Sequence, residues 1–141
     1  MADRNVILRD KVGSHPHHED QPKTASQTYD KNSLVAFASG KVHPAADNAT
    51  VVYGIMKAEV AATDSDYATA SLKTVEVLHP GDKVEMDISG GTPVVGASYG
   101  ISNAYTIDVT DTTNKVATCK KVISSTRAVF TFNTYQGGAA V

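Results

Sequence analysis

The sequence predicts an all-β fold: a small β-barrel or β-sandwich preceded by an extended N-terminal arm. Thr and Val are abundant whereas Leu is scarce, a balance typical of strands rather than helices. Short apolar runs recur along the chain between turns rich in Gly, Asp and Asn. Residues 83–88 alternate strictly between apolar and charged side chains, as expected for a strand with one buried face.

The chain has 141 residues, a length typical of one domain, and its composition changes near Tyr29. Residues 1–30 mix charges with His and Pro. We interpret them as an extended arm, because so polar a segment buries too little surface to offset its ordering entropy. Fully extended, this arm would reach on the order of 100 Å. Residues 31–135 are predicted to form a single β domain, and residues 136–141 a flexible C-terminal tail.

The strands of the β domain are predicted from its apolar runs and turns. Residues 58–71 show no apolar stripe and are predicted to be a loop. A turn at 89–92 is predicted to close a hairpin on which residues 93–95 return. The predicted strands are 34–38, 51–56, 72–77, 83–88, 105–109, 116–123 and 127–132.

Histidines in the arm are the first candidates for chemistry. His15, His17 and His18 precede Glu19 and Asp20, and imidazoles beside carboxylates can bind Zn or Ni. A tetrahedral site needs a scaffold to hold its ligands, so a solvated turn is the favoured interpretation and a metal site shared between subunits the alternative. At an interface, these histidines could also make assembly depend on pH between about 5 and 7.

No catalytic group of residues is predicted, so we expect neither an enzyme nor a cofactor. Cys119 is a lone cysteine in a strand-like run and is expected to be a small buried hydrophobe. The glycines at 96 and 100 are not followed by the Lys of a phosphate-binding loop, so a turn or strand bend is expected there. Carboxylate pairs such as Asp64 with Asp66 are expected in loops or on wet strand faces.

The charge and hydropathy of the chain bound its partners. The formal net charge is −2 and no basic stripe is visible, so nucleic-acid binding is not expected. The pair Lys120-Lys121 is interpreted as solvated charge at a strand edge. No segment approaches the roughly 20 apolar residues that span a bilayer, and the first residues do not resemble a signal peptide. We therefore expect a protein that is made in the cytoplasm and does not contact membranes.

Residues 31–132 resemble the head decoration (cement) proteins of tailed bacteriophages. Strand and turn order carry this resemblance, in the stretches TVEVLHPGDKVE at 74–85, GTPVVGASYGI at 91–101 and DVTDTTN at 108–114, and earlier around 34–35, 40, 42–45 and 52–55. The resemblance implies a β-barrel-like or β-tulip-like module on the capsid exterior. Its partner would be the major capsid protein, whose neighbouring subunits it would lock together, and it would self-associate as a trimer or, alternatively, a dimer.

Val6, Ile7 and Leu8 form the one apolar cluster in the predicted arm. We predict that they bind a partner by adding a strand to the edge of a neighbouring sheet. Arm and body contacts on the same shell would then reinforce each other through their effective concentration.

Three alternatives stay open at this stage. The first is another virion component, such as a head-fibre base or a tail protein. The second is a small carbohydrate- or ligand-binding barrel, for which the candidate aromatic residues are Tyr53, Tyr67, Tyr99, Tyr105 and Tyr135. The third is an enzyme, for which these residues suggest no reaction.

Overall fold

The computed structural model describes residues 4–12 and 17–135, and in these ranges the protein is all-β, as predicted. Two sheets form the body. The described strands, in chain order, are β1 (Ile7–Asp10), β2 (His18–Pro22), β3 (Ser33–Ala38), β4 (Lys41–Pro44), β5 (Gly54–Met56), β6 (Leu72–Val77), β7 (Lys83–Ser89), β8 (Ser98–Asn103), β9 (Thr106–Asp108), β10 (Ala117–Val122) and β11 (Arg127–Phe132).

The first sheet closes into a five-stranded barrel with one additional strand. Its order is β1-β7-β11-β10-β8-β9, and a parallel pairing of β7 with β9 joins the ends of the ring. β1 and β9 use successive parts of the same edge of β7, because β1 pairs with residues 83–85 and β9 with residues 87–89. Closure leaves no free edge on the five barrel strands over this stretch.

The second sheet has the order β2-β6-β5-β3-β4. Each pair of neighbouring strands in this order is antiparallel. An isolated bridge between Lys23 and Val42 brings the end of β2 to β4, so the two outer strands of this sheet meet at one end. The residues that follow β2 thereby complete a second, smaller core.

Alternation along β7 and β11 fills the barrel. Val84, Met86 and Ile88 are all buried, as predicted, and the charged residues between them lie on the outer face. Phe130 is completely buried and pairs with Val84 on one side and Cys119 on the other. The interior is therefore almost entirely apolar.

The core of the second sheet contains buried polar atoms. Tyr29 is 1% exposed, and its hydroxyl donates to the carbonyl of Val42 at 2.7 Å. Lys23 is fully buried, and its Nζ donates to the carbonyls of Asp66, Tyr67 and Thr69 at 2.8, 3.2 and 2.5 Å. Three acceptors satisfy an ammonium that would otherwise be costly to bury. The predicted loop at 58–71 is confirmed, and Lys23 holds its shape.

The structure corrects the prediction for residues 1–30. Within the described residues 4–12 and 17–30, β1 is part of the barrel sheet and β2 is an outer strand of the second sheet. These segments are ordered by pairing with β7 and β6, which a polar composition does not reveal. The described residues of this segment therefore do not form a separate arm. The predicted tail, 136–141, lies outside the described residues.

The predicted hairpin at 89–92 is wrong. β7 pairs with β1, β9 and β11, and the next strand, β8, pairs with β9 and β10 instead. Residues 93–95 do not form a strand. The glycines at 90 and 91 have positive φ angles of 83° and 140°, so the chain turns there, but it leads into a loop that crosses to another part of the barrel.

Candidate contact surface and polar cleft

Val6, Ile7 and Leu8, the predicted partner-binding residues, lie against the chain's own barrel. Val6 is 2% exposed and belongs to the barrel core, and Leu8 packs on that core. Ile7 and Leu8 pair with Glu85 and Val84 of β7. These three residues therefore do not form an apolar cluster in a solvated segment. Contact of Val6, Ile7 and Leu8 with a partner stays a prediction.

A pair of exposed valines follows β7. Val94 and Val95 are 65% and 60% exposed and sit side by side in the loop between β7 and β8. The amide of Ala97 donates to the carbonyl of Val94 at 3.0 Å, and Gly96 has a φ of +91°, which are the features of a β-turn with glycine in its third position. Val94 and Val95 therefore occupy the outer corner of a tight turn.

This valine turn is held at several points. The amide of Val94 donates to the hydroxyl of Tyr99 at 2.9 Å, and the amide of Gly96 donates to the carbonyl of Cys119 at 2.8 Å. Pro93 is buried beside it. The hydrogen bonds to Tyr99 and to Cys119 of β10 fix the backbone of this turn and so hold both valine side chains on its outer side. The two apolar side chains are thus presented to solvent from a rigid support.

A polar cleft lies at the second sheet, around two histidines. The rings of His17 and His79 stack at 4.9 Å, with His17 Nδ1 2.7 Å from His79 Nε2. His17 Nε2 is 2.9 Å from a carboxylate oxygen of Glu19. With Glu19 accepting from Nε2, the neutral His17 ring accepts at Nδ1, so His79 donates. One proton fits between the two rings, and a second would place two N–H groups face to face.

Glu19 and Tyr53 form the floor of this cleft. The Tyr53 hydroxyl donates to Glu19 at 2.6 Å, and this bond lowers the pKa of the Glu19 carboxyl. Burial and the neighbouring Glu19 raise the pKa of Tyr53 to about 12. Burial, together with the nearby Lys11 ammonium and the His17 ring, lowers the pKa of His79. These groups orient one another, and Gln21 completes the set by donating to both Glu19 and Tyr53.

The predicted histidine cluster is divided by the geometry of β2. Because successive side chains of a strand face opposite sides, His17 and Glu19 turn toward Tyr53 whereas His18 and Asp20 are exposed on the other face. His15 lies outside the described residues. Within the described ranges, no group of three His, Cys, Asp or Glu side chains is arranged to hold a metal ion.

Ser98 has the spacing of a catalytic serine, which the prediction that the chain lacks a catalytic group overlooked; only a turn or strand bend was expected there. Residues 96–100 read Gly-x-Ser-x-Gly, as in the nucleophile elbow of α/β-hydrolases. That elbow joins a strand to a helix, but here Ser98 opens β8 and its hydroxyl pairs with Thr118 across the sheet at 2.8 Å. Gly100 fits because a Cβ there would collide with the Asp111 carboxylate. Cys119 is fully buried, as predicted, and burial raises the pKa of its thiol.

The tyrosines expected to bind a ligand are mostly engaged in the fold. Tyr53 and Tyr99 are buried, the Tyr67 hydroxyl donates to Ser26, and the guanidinium of Arg4 lies 3.7 Å from the ring centre of Tyr105. The polar cleft, which Tyr135 also lines, has a volume of about 240 Å³. Small-molecule sites usually span about 300–1,000 Å³, so this cleft is below that range.

Sequence reasoning missed His79 and Asp82 as structural anchors. Asp82 is 2% exposed, accepts the amides of His79 and Val12, and pairs with Lys11 Nζ at 2.6 Å. Residues 79–82 read His-Pro-Gly-Asp, a turn sequence, and a turn Asp often accepts hydrogen bonds from nearby amides. What the sequence could not show is that residues 11, 12 and 17 pack against this turn from more than sixty positions away.

Comparison with known proteins identifies no relative. No family model matches the chain, and neither a curated protein nor a solved structure matches it. Among the described residues there is no helix long and apolar enough to cross a membrane.

Proposed function

We propose that this protein is a structural virion component that binds the outer surface of a tailed-phage capsid and stabilises contacts between major capsid subunits. The observation that carries the binding part of this proposal is the valine turn. Two adjacent β-branched side chains are exposed there on a backbone fixed by hydrogen bonds to Tyr99 and Cys119. Single exposed apolar residues are ordinary on protein surfaces, and we base the proposed contact site on the adjacency and rigid presentation of this pair.

Rigidity matters because binding is weakened by every side chain and loop that must be ordered on contact. A turn that is already fixed loses little conformational entropy when it docks. The closed barrel behind it gives a support that does not need to rearrange. A protein that stabilises contacts between capsid subunits requires a rigid contact surface of this kind and does not require a reacting group.

The capsid as partner is supported by the resemblance of residues 31–132 to head decoration proteins, and by an all-β body of the kind that this resemblance implies. Under this proposal the protein acts on the capsid exterior, after synthesis in the host cytoplasm. Self-association as a trimer, or alternatively a dimer, would present several valine turns to neighbouring capsid subunits, so that individually weak contacts add up.

The test is co-sedimentation of the purified protein with bare, expanded capsids of its own virus, alongside its mass in solution. We expect saturable binding at a fixed ratio to the major capsid protein. Absence of binding at micromolar concentrations would contradict the proposal. Stacked rings of the free protein would instead favour a tail-tube role.

A further inference from the structure

The outer face of the barrel carries a basic groove that crosses four neighbouring strands, β1, β7, β11 and β10. Its volume is about 430 Å³. Val129 and Ile123 supply its apolar surface, and Val129 is nearly buried on the groove floor whereas Ile123 is 47% exposed. The charged residues around it are Arg9, Asp10, Lys83, Glu85, Lys120 and Lys121.

Two β-bulges shape this basic groove. The β10–β11 register shifts between Cys119 and Lys121, so Lys120 is the extra residue on β10. The result is that the adjacent Lys120 and Lys121 are both exposed, where regular alternation would turn one of them inward. A second shift, between Leu8 and Asp10, makes Arg9 the extra residue on β1. Bulges commonly re-aim side chains beside functional sites.

The cations of the groove exceed its anions. The Glu85 carboxylate accepts hydrogen bonds from Arg127 at 2.8 Å and from Arg9 at 2.8 Å, and these contacts lower the pKa of its carboxyl. Glu85 is therefore ionised, and the two guanidinium groups balance its negative charge. In the described part of the chain, no carboxylate lies within 4.0 Å of the Nζ atoms of Lys83, Lys120 or Lys121. A chain with a net charge of −2 thus concentrates positive charge on one face.

We propose that this groove binds an acidic segment of a partner protein in which carboxylates flank apolar residues. Lys83 on β7 stands at one end of the groove, beside Asp10 and the Arg9–Glu85 ion pair, and Lys120 and Lys121 on β10 stand at the other end, with Val129 between them. Four strands spaced about 4.8 Å apart span about 14 Å, which is the length of four or five extended residues. A protein segment is favoured over a nucleic acid because the centre of the groove is aliphatic and offers no aromatic ring for base stacking.

This inference goes beyond the valine turn, which lies on a different loop, and it holds whether or not the partner is a capsid. It also revises the interpretation of Lys120-Lys121 as solvated edge charge. The exposure of Lys120 and Lys121 was predicted correctly. The sequence does not indicate that Arg9 on β1 and Lys83 on β7 line the same groove as these two lysines on β10.

The test titrates a blocked hexapeptide, Glu-Glu-Leu-Val-Glu-Glu, into the intact ¹⁵N-labelled protein at low salt. We expect amide shifts at residues 9–10, 83–85, 120–123 and 129, and at least fivefold weaker binding when salt is raised from 20 to 150 mM. The amide analogue Gln-Gln-Leu-Val-Gln-Gln should bind at least fivefold more weakly as well.

The matched variants change the same net charge at different places. Lys120→Glu with Lys121→Glu should weaken peptide binding at least tenfold, whereas Lys41→Glu with Lys115→Glu, two exposed lysines away from the groove, should alter it less than twofold. Equal losses in both pairs, no binding at millimolar peptide, or shifts elsewhere would overturn the proposal. Tighter binding of an eight-nucleotide oligothymidylate in the same groove would overturn it in favour of single-stranded nucleic acid.

Discussion

The barrel and the second sheet are stabilised in different ways. The barrel core is aliphatic apart from Met86, two phenylalanines, one tyrosine and Cys119, and β7 alternates cleanly between a dry and a wet face. The second sheet buries Lys23 and Tyr29 and lines a cleft with His17, Glu19 and Tyr53. Both regions therefore depend on apolar packing, but the second sheet adds to its apolar cluster a set of satisfied polar atoms, which respond to pH and to single-atom changes.

The largest expected effect of a single substitution is in the barrel. Phe130→Ala should lower the free energy of unfolding by about 3–5 kcal/mol, because the side chain is fully buried between β7 and β10 and leaves a cavity. Phe37→Ala is the matched change in the second sheet, where the ring is only partly buried against Tyr53 and Tyr135. Urea unfolding should show a clearly smaller loss for Phe37, and an equal loss would contradict the contrast.

The second sheet should be most sensitive at Lys23. Lys23→Met keeps the side-chain length but removes the donor for three carbonyls of the 66–69 loop, so we expect a loss of about 3 kcal/mol. Lys73→Met is the control, since Lys73 pairs with Asp66 at a partly exposed position and should cost about 1 kcal/mol or less. Hydrogen exchange should show loss of protection in the 66–69 loop before β11, and uniform loss would contradict a local role.

A smaller, pH-dependent effect should separate the two regions. The pKa of His79 is lowered in the folded protein, so the unfolded chain binds its proton first as the pH falls below about 6.5, and the folded state loses stability. The stability that the folded state owes to neutral His79 is fully present above about pH 6.5 and is lost as the pH falls through the lowered pKa. His79→Gln should therefore show a shallower fall in unfolding free energy between pH 7.5 and 5.5 than the native chain.

The location of this pH effect is a second check. Hydrogen exchange at pH 5.5 should show weakened protection in β2 and β6 with little change in β11. An identical pH dependence of the native chain and His79→Gln, or a loss spread evenly over both sheets, would show that the stacked histidines do not control it.

The same contrast explains how much of the fold could be predicted. β7 and β11 follow apolar alternation, which reports directly on a buried face, and both were predicted correctly. β2 reads His-Glu-Asp-Gln-Pro, and the side chains that it turns toward Tyr53 are Glu19 and Gln21, both hydrogen-bonded to the Tyr53 hydroxyl. A strand with polar residues on both faces gives no hydrophobic signal, so it was mistaken for part of an arm.

The candidate sites were less predictable than the fold. Val94 and Val95 read as an apolar strand in sequence, because a pattern of residue types does not distinguish a buried pair from an exposed one. The stacking of His17 on His79 and the meeting of Arg9 with Lys120 depend on contacts between distant strands. Such contacts follow from barrel closure and from bulges, neither of which local sequence encodes.

The most direct test of the account compares exposed apolar residues of the two regions in capsid binding. Val94→Asp with Val95→Asp removes the valine turn of the barrel, and Leu72→Asp removes an isolated residue of the second sheet that is 63% exposed. Co-sedimentation with expanded capsids should show at least tenfold weaker binding for the valine variant, about 1.4 kcal/mol or more, and native binding for Leu72→Asp. Native binding by a folded valine variant would contradict the account.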